Sequence, residues 1–225
     1  MSKETERLRE LRALAVDLDD TGVRSGDKIK RYHRQTLGRL AVSPMPSDRE
    51  IDRLVGGPSD QVYPGLYPAD QIEEARRIFG EIAGNDPNPS SPIPGVPEAL
   101  GSLEDIGVLY GWATNRKRQT EAAIRGGDLD PDDAAFIYDG NFGPKSEALK
   151  DILRTLRKMG IRAINLAMVG DTDRDMNDAK KANKQILKVG ISQYAAEPAA
   201  LRRASDITFR EVPDLVEAIA EAKRD

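Results

Sequence analysis

The chain contains no cysteine, which excludes disulfide bonds, thiolate nucleophiles and cysteine-ligated zinc sites. Histidine occurs once, at His33, inside a stretch whose pattern predicts a helix over residues 28–40. We interpret His33 as a helix-surface residue and not as a general base. The chemistry of any enzyme with this sequence must therefore come from carboxylates, lysine, arginine, serine or threonine.

Long apolar runs are also missing, and no segment approaches the roughly 20 residues that a membrane-spanning helix requires. Residues 1–12 are charged throughout, so we expect a frayed polar lead-in and not a signal peptide. The formal net charge of -4 argues against nucleic acid as the main partner, because binding to a phosphate backbone requires a basic surface. We therefore expect a cytoplasmic protein with no membrane or nucleic-acid partner. The oligomeric state is not indicated.

The 225 residues contain two regions with different patterns of predicted secondary structure. Residues 14–16 form an apolar strand that ends at Asp17, and residues 22–92 then contain helical stretches at 28–40, 48–55 and 69–83 with no good strand candidate. From residue 93 onward strands and helices alternate, which is typical of a parallel sheet with helices on both faces. We predict an α/β fold: a doubly wound, Rossmann-like core (1–22 and 93–225) and a small α-helical cap domain (23–92) inserted after the first strand.

Polar residues stand where the predicted strands end. They are Asp17, Asp19, Thr114, Asn115, Asp171 and Asp175, and Lys145 opens the helix after the third strand. Ligands of open parallel sheets bind beyond the carboxyl ends of the strands, so these side chains are candidates for one site. Crowded carboxylates repel one another unless a cation lies among them, and oxygen ligands without histidine or cysteine suit Mg²⁺. In the Asp-x-Asp pair, one carboxylate can attack phosphorus while the other protonates the leaving oxygen.

These residues resemble the motifs of the haloacid dehalogenase (HAD) superfamily. Asp17-Leu18-Asp19-Asp20-Thr21 resembles its first motif, Thr114 its second, Lys145 its third, and Gly170-Asp171-Thr172-Asp173-Arg174-Asp175 its fourth. Residues 94–100 resemble the segment that re-enters the core after a helical cap. The resemblance covers most of the chain with the motifs in order, and the overall shape is similar to phosphoglycolate phosphatase-like members.

The resemblance implies a role for each matched residue. Asp17 would be the nucleophile and a metal ligand. Asp19 would be the acid/base and would offer its backbone carbonyl to the metal. Thr114 would bind the transferring phosphoryl group, with Asn115 beside it as a further substrate-binding candidate. Lys145 would neutralise the charge of that group and of Asp17.

The fourth motif implies the rest of a magnesium site, in which Asp171 binds the ion and Asp175 either binds it or supports the residues that do. The implied activity is Mg²⁺-dependent hydrolysis of a small phosphorylated metabolite through an aspartyl-phosphate. Specificity would be determined in the cap, near Gly56-Gly57 and a loop over residues 59–67. Gly22 departs from the family pattern, because relatives carry a large aliphatic residue there.

Three alternatives to a phosphatase remain at the level of the sequence. A phosphosugar mutase of the same family would keep every motif. A catalytically silent protein that binds a phosphorylated ligand would not need both Asp17 and Asp19. A calcium-binding module would explain part of the first motif, although Lys28 stands where such a loop requires glutamate.

Overall fold

The computed structural model describes residues 2–55 and 59–224. Its strands lie at Ala13–Val16 (β1), Val23–Arg24 (β2), Ser91–Pro92 (β3), Leu109–Ala113 (β4), Ile137–Tyr138 (β5), Leu166–Gly170 (β6), Leu187–Ile191 (β7) and Ile207–Phe209 (β8). Its α-helices lie at Lys3–Arg9 (α1), Gly26–Arg39 (α2), Asp48–Leu54 (α3), Ser59–Leu66 (α4), Ile72–Gly84 (α5), Val96–Gly101 (α6), Thr120–Gly126 (α7), Lys145–Lys158 (α8), Asp173–Ala182 (α9), Pro198–Ala204 (α10) and Val212–Arg224 (α11).

Six strands form one parallel sheet in the order β5-β4-β1-β6-β7-β8. The first strand lies inside the sheet, with Ala13 paired to Leu109 on β4 and to Leu166 on β6. The chain therefore winds outward from β1 in both directions, and the predicted doubly wound α/β fold is confirmed. Loops that follow β1, β4 and β6 emerge side by side at the carboxyl edge of the sheet, where ligands of such folds bind.

Both faces of the sheet are buried. Along β1, Leu14 and Val16 enter one hydrophobic cluster while Ala13 and Ala15 enter the other, as the two-residue period of a strand requires. The first cluster packs under α6, α7 and α11, and the second under α8 and α9. A strand covered on both sides explains why the sequence before Asp17 is continuously apolar.

The expectation of a frayed lead-in is wrong, because Lys3–Arg9 forms helix α1. The side chain of Ser2 accepts a hydrogen bond from the backbone N–H of Thr5 and caps its start. Leu8 and Leu11 are buried in the core, and α1 packs against α11. Burial of Leu8 on the helix and of Leu11 just after it outweighs the charge around them.

Residues 23–92, which we call the helical segment, contain α2 to α5 and have a hydrophobic cluster of their own. It includes Leu37, Ile51, Val62, Tyr63, Leu66, Tyr67 and Ala75. The predicted loop over 59–67 is wrong, because Ser59–Leu66 is helix α4 despite Pro64 inside it. Burial of the apolar side chains of this stretch overrides the local preference of proline. Gly56 and Gly57, named above for specificity, lie outside the described residues.

Short strands that the sequence did not indicate join the helical segment to the sheet. Val23 pairs with Pro92 and Arg24 with Ser91 in an antiparallel ribbon of β2 and β3. Two-residue strands show no periodicity, so no sequence pattern could predict them. Both crossings between the helical segment and the rest of the chain therefore run side by side.

His33 is not the helix-surface residue that we expected. Its side chain is only 3% exposed and packs among Tyr63, Tyr67 and Phe79. Its Nδ1 lies 2.9 Å from the hydroxyl of Tyr67. The face of α2 that carries His33 is covered by α4 and α5, and α4 was the helix missing from the sequence prediction.

No helix in the described ranges is both long enough and apolar enough to cross a bilayer.

Candidate active site

Five of the predicted residues meet at the carboxyl edge of the sheet. Asp17 follows β1, Thr114 follows β4 and Asp171 follows β6, while Lys145 opens α8 and Asp175 lies in the first turn of α9. All five are buried. The backbone N–H of Asp17 donates to the carbonyl of Val169 at 2.8 Å, which extends the β1–β6 pairing to the start of the site.

Lys145 connects two of the acidic residues. Its Nζ donates to Asp17 Oδ1 at 2.7 Å and also to Asp175 Oδ1. Burial alone would lower the pKa of Lys145, but the charges of Asp17 and Asp175 outweigh that effect and raise it. Lys145 therefore stays an ammonium group, as a residue that neutralises negative charge must.

Hydrogen bonds at the start of α9 fix the side chain of Asp175 in the fourth motif. The hydroxyl and backbone N–H of Thr172 donate to Asp175 Oδ2 at 2.6 and 3.2 Å, while the hydroxyl accepts from the N–H of Asp175. Both carboxylate oxygens of Asp175 thus have partners, one in Thr172 and one in Lys145. Asp171 is less constrained, with a 3.4 Å hydrogen bond from the hydroxyl of Thr21.

Oxygens of Asp17, Asp171 and Asp175, which we call the acidic cluster, all lie within 4.8 Å of one another. Burial, opposed by Lys145 and reinforced by the neighbouring carboxylates, raises the pKa of Asp17 to about 7. Burial and the same crowding raise the pKa of Asp171 well above its ordinary value. Three carboxylates against one ammonium leave two negative charges, which a divalent cation would balance. The donor set therefore fits a divalent metal.

Asp19 stands outside the acidic cluster. Its Oδ1 accepts hydrogen bonds from the hydroxyl of Ser25, just before α2, and from Nη2 of Arg116. The backbone of Asp19 also forms an isolated β-bridge with that of Val23, the first residue of β2. The candidate acid/base is therefore held between the loop after β4 and the crossing into the helical segment.

Thr114 and Asn115 are placed differently. The N–H of Thr114 donates to the carbonyl of Tyr138 at 2.9 Å, and its Oγ1 accepts from the N–H of Arg116, so the hydroxyl proton remains available to a ligand. Across the described residues, no hydrogen bond is found for the Asn115 side chain. Its backbone carbonyl instead lies against Gly140, where a β-carbon would be only 2.3 Å away.

Arg116 is the site residue that the sequence reasoning missed. It follows Thr114 by two positions, and its side chain is only 10% exposed. The signal that could have found it is a cation in a strand-end loop opposite an acidic motif.

The family of this chain follows from comparison with known proteins. A family model described as "Haloacid dehalogenase-like hydrolase" matches residues 14–189, which include every residue of the site described above. The chain belongs to this family.

A curated relative of this HAD-like hydrolase is the phosphoglycolate phosphatase of Aquifex aeolicus. It is 25% identical over 183 residues, covering 76% of this chain and 81% of the relative. By its name this relative is a phosphatase, and the matching family model describes hydrolases.

Solved structures share the fold of this HAD-like hydrolase. One is a haloacid dehalogenase-like family hydrolase from Streptococcus pneumoniae, with a TM-score of 0.78 and 21% identity, covering 92% of this chain and 98% of that one. Another is a Bacteroides vulgatus protein described provisionally as a beta-phosphoglucomutase. It has a TM-score of 0.73 and 14% identity, and the match covers 96% of this chain and 92% of that one.

Proposed function

We propose that this HAD-like hydrolase is a magnesium-dependent phosphatase that hydrolyses a small phosphate monoester through an aspartyl-phosphate on Asp17. The observation that carries the proposal is the pairing of Asp17 with Lys145 at the carboxyl end of β1, inside the acidic cluster. A buried carboxylate beside a buried ammonium, at the edge where ligands of this fold bind, suits nucleophilic attack on a phosphoryl group. The Aquifex relative supports phosphate-ester chemistry.

The reaction would proceed in two balanced steps. An oxygen of Asp17 forms a bond to phosphorus while the ester P–O bond breaks, and the protonated Asp19 gives its proton to the leaving oxygen. The Asp19 carboxylate then takes a proton from a water whose oxygen attacks phosphorus. Inorganic phosphate leaves and Asp17 is regenerated.

The remaining residues would bind and neutralise charge. Lys145 faces Asp17 and would attract the phosphoryl oxygens, and the free hydroxyl proton of Thr114 would be donated to one of them. Asp17 and Asp171, with the backbone carbonyl of Asp19, would hold Mg²⁺, which supplies positive charge to the phosphoryl group when bound. Because both oxygens of Asp175 already have protein partners, we assign it the support of Lys145 and of the turn that carries Asp171.

The domain division 1–22 and 93–225 (core) and 23–92 (cap) is part of the proposal. Supporting observations are the separate hydrophobic cluster of the helical segment and the two crossings joined by β2 and β3. The first crossing, β2, follows Asp19 closely in the chain and forms a β-bridge with it through Val23, so movement of the helical segment would act next to the acid/base. Such a cap would exclude water and contact the leaving group.

A phosphosugar mutase is the second candidate, and the fold similarity to the Bacteroides vulgatus protein favours keeping it. A mutase would retain the phosphoryl group on Asp17 until the sugar reorients. Product analysis after incubation with a hexose 1-phosphate distinguishes a phosphatase from a mutase. A phosphatase releases inorganic phosphate, whereas a mutase forms the hexose 6-phosphate.

The test of the proposal is phosphate release from p-nitrophenyl phosphate by the wild type and Asp17→Asn, each with magnesium and with EDTA. We expect turnover by the wild type with magnesium alone, and none by Asp17→Asn. Asp173→Asn, which changes a carboxylate outside the acidic cluster on the same turn as Asp175, serves as control. Full activity of Asp17→Asn would refute the mechanism, and tight phosphate binding without turnover would indicate the silent ligand-binding protein.

A further inference from the structure

The guanidinium of Arg116 is fixed in place beside the site. The backbone N–H of Arg116 donates to Thr114 Oγ1 at 3.2 Å, and its carbonyl accepts from the N–H of Gly140 at 2.7 Å. Nη2 donates to Asp19 Oδ1. With the main chain held on both sides and the side chain nine-tenths buried, the guanidinium has little freedom to point elsewhere.

One donor of this group has nothing to bind. The Nε of Arg116 is buried and has no hydrogen-bond partner among the described residues. Most buried polar atoms in folded proteins are satisfied, so an orphaned donor requires an explanation. Four buried side-chain atoms of the described chain lack a partner, and this is the one whose side chain binds a candidate catalytic residue.

The position of Arg116 indicates which part of a substrate would meet it. In the proposed function Asp19 protonates the leaving oxygen, so a group bonded to Asp19 lies on the leaving-group side of the scissile bond. Lys145 is bonded to Asp17 instead and serves the phosphoryl side. Asp19 Oδ1, to which Arg116 donates, also accepts a hydrogen bond from the hydroxyl of Ser25, just before α2 of the helical segment. Arg116 therefore lies where the leaving group would meet the helical segment.

We propose that Arg116 is a substrate-binding residue that selects phosphate esters whose leaving group carries a second anionic oxygen group, such as a carboxylate, close to the ester oxygen. The inference rests on the proposed function. An arginine presents several N–H donors in one plane, so Nη2 can hold Asp19 while Nε donates to the substrate. A carboxylate at that point would satisfy the orphaned donor and place a negative charge against a buried positive one.

The test compares two esters that differ only in this group, phosphoglycolate and 2-hydroxyethyl phosphate. We expect the wild type to favour the carboxylated ester by about tenfold or more in kcat/KM. This is the size of effect that a hydrogen bond to a charged group usually has. In Arg116→Met that preference disappears, mainly through a higher KM for phosphoglycolate. Lys117→Gln removes one positive charge from the same exposed loop and should keep the preference.

Arg116→Lys distinguishes substrate binding from the support of Asp19 alone. Lysine keeps a positive charge for Asp19 but has no second donor in the position of Nε. If Arg116 binds the substrate, Arg116→Lys loses the preference as Arg116→Met does. If Arg116 only positions Asp19, every Arg116 variant slows both esters by the same factor, and the proposal is overturned.

Binding measurements separate this inference from the proposed function. The affinities of both esters are measured by calorimetry in Asp17→Asn protein, with and without Arg116→Met. We expect phosphoglycolate to lose about tenfold in affinity and 2-hydroxyethyl phosphate to change little. Equal losses for the two esters would contradict the role of Arg116 even if the phosphatase mechanism stands. Unequal losses with no turnover by the wild type would support Arg116 and refute the mechanism.

Discussion

The indole of Trp112 fills the space next to the α-carbon of Gly22. A β-carbon on Gly22 would lie 2.3 Å from Cζ3 of Trp112, far inside van der Waals contact. Gly22 is absent from the residues with positive φ, so glycine is required here for space and not for backbone conformation. Trp112 lies on β4 and is fully buried.

Gly22→Ala is therefore expected to destabilise the protein by about 1–3 kcal/mol, because the added methyl group meets a closely packed ring. The same substitution in a Trp112→Leu background should cost much less, since leucine vacates part of that volume. Urea unfolding followed by circular dichroism measures both. Equal costs in the two backgrounds would show that the contact with Trp112 is not what requires glycine.

A second prediction separates the two lysines of α8. Lys145→Met should reduce phosphatase turnover by at least about 100-fold, the usual effect of removing a buried electrostatic contact at a reacting group. Lys150→Met is the matched control, because its Nζ binds Glu147 at the surface of the same helix. Steady-state kinetics with p-nitrophenyl phosphate checks both variants. Comparable losses in the two, or none in Lys145→Met, would contradict the assignment.

These lysines also show what the sequence could predict. A strand that ends in Asp-x-Asp and a later strand that ends in Gly-Asp indicated the sheet edge, and the parallel order of β4, β1 and β6 brings Asp17 and Asp171 together. Lys145 and Lys150 lie five positions apart on one helix, which places them on different faces. Only the start of α8 at Lys145 determines which of them enters the site.

Features that depend on packing between residues far apart in the chain cannot be predicted from local sequence in the same way. Arg116 and Asp19 are 97 positions apart, and their ion pair exists because β1 and β4 are neighbours. His33 lies on a face of α2 that α4 helps to cover, and the sequence pattern predicts a loop where α4 forms. Local pattern fixes the period of a helix but not which of its faces another helix covers.

The third prediction concerns magnesium. Mg²⁺ at about 100 times its Kd should stabilise the protein by about 3 kcal/mol, which raises the Tm by about 6 °C in a chain of this length. Asp171→Asn should lose most of this stabilisation by Mg²⁺, because it removes one carboxylate of the acidic cluster.

The stabilisation by Mg²⁺ should also depend on pH. Burial raises the pKa of Asp17 to about 7, so protons compete with the metal and the stabilisation should shrink as the pH falls below about 7.

Differential scanning fluorimetry with magnesium, calcium and EDTA checks this prediction. A rise in Tm that is larger with calcium than with magnesium would favour the calcium-binding module. A rise that Asp171→Asn keeps in full would place the metal elsewhere in the protein.

The last prediction uses the single histidine of the chain. Burial lowers the pKa of His33 from its ordinary 6.5 to about 4, so the folded state favours the neutral ring. The unfolded chain binds the proton more readily between these values, so the contribution of His33 to stability is complete above pH 6.5 and is lost as the pH falls towards 4. Between pH 7 and pH 5 the loss should be about 2 kcal/mol.

His33→Phe preserves an aromatic ring among Tyr63, Tyr67 and Phe79 but cannot take up a proton. It gives up the hydrogen bond to Tyr67, so it should be less stable at pH 7. Its free energy of unfolding should nevertheless fall less than that of the wild type on going to pH 5, because the other titrating groups are common to both proteins. Urea unfolding at the two pH values measures this difference, and NMR titration of the one imidazole measures the pKa directly. Parallel pH dependence of the two proteins, with an imidazole pKa near 6.5, would mean that the ring is accessible to water and that α4 and α5 do not cover this face of α2.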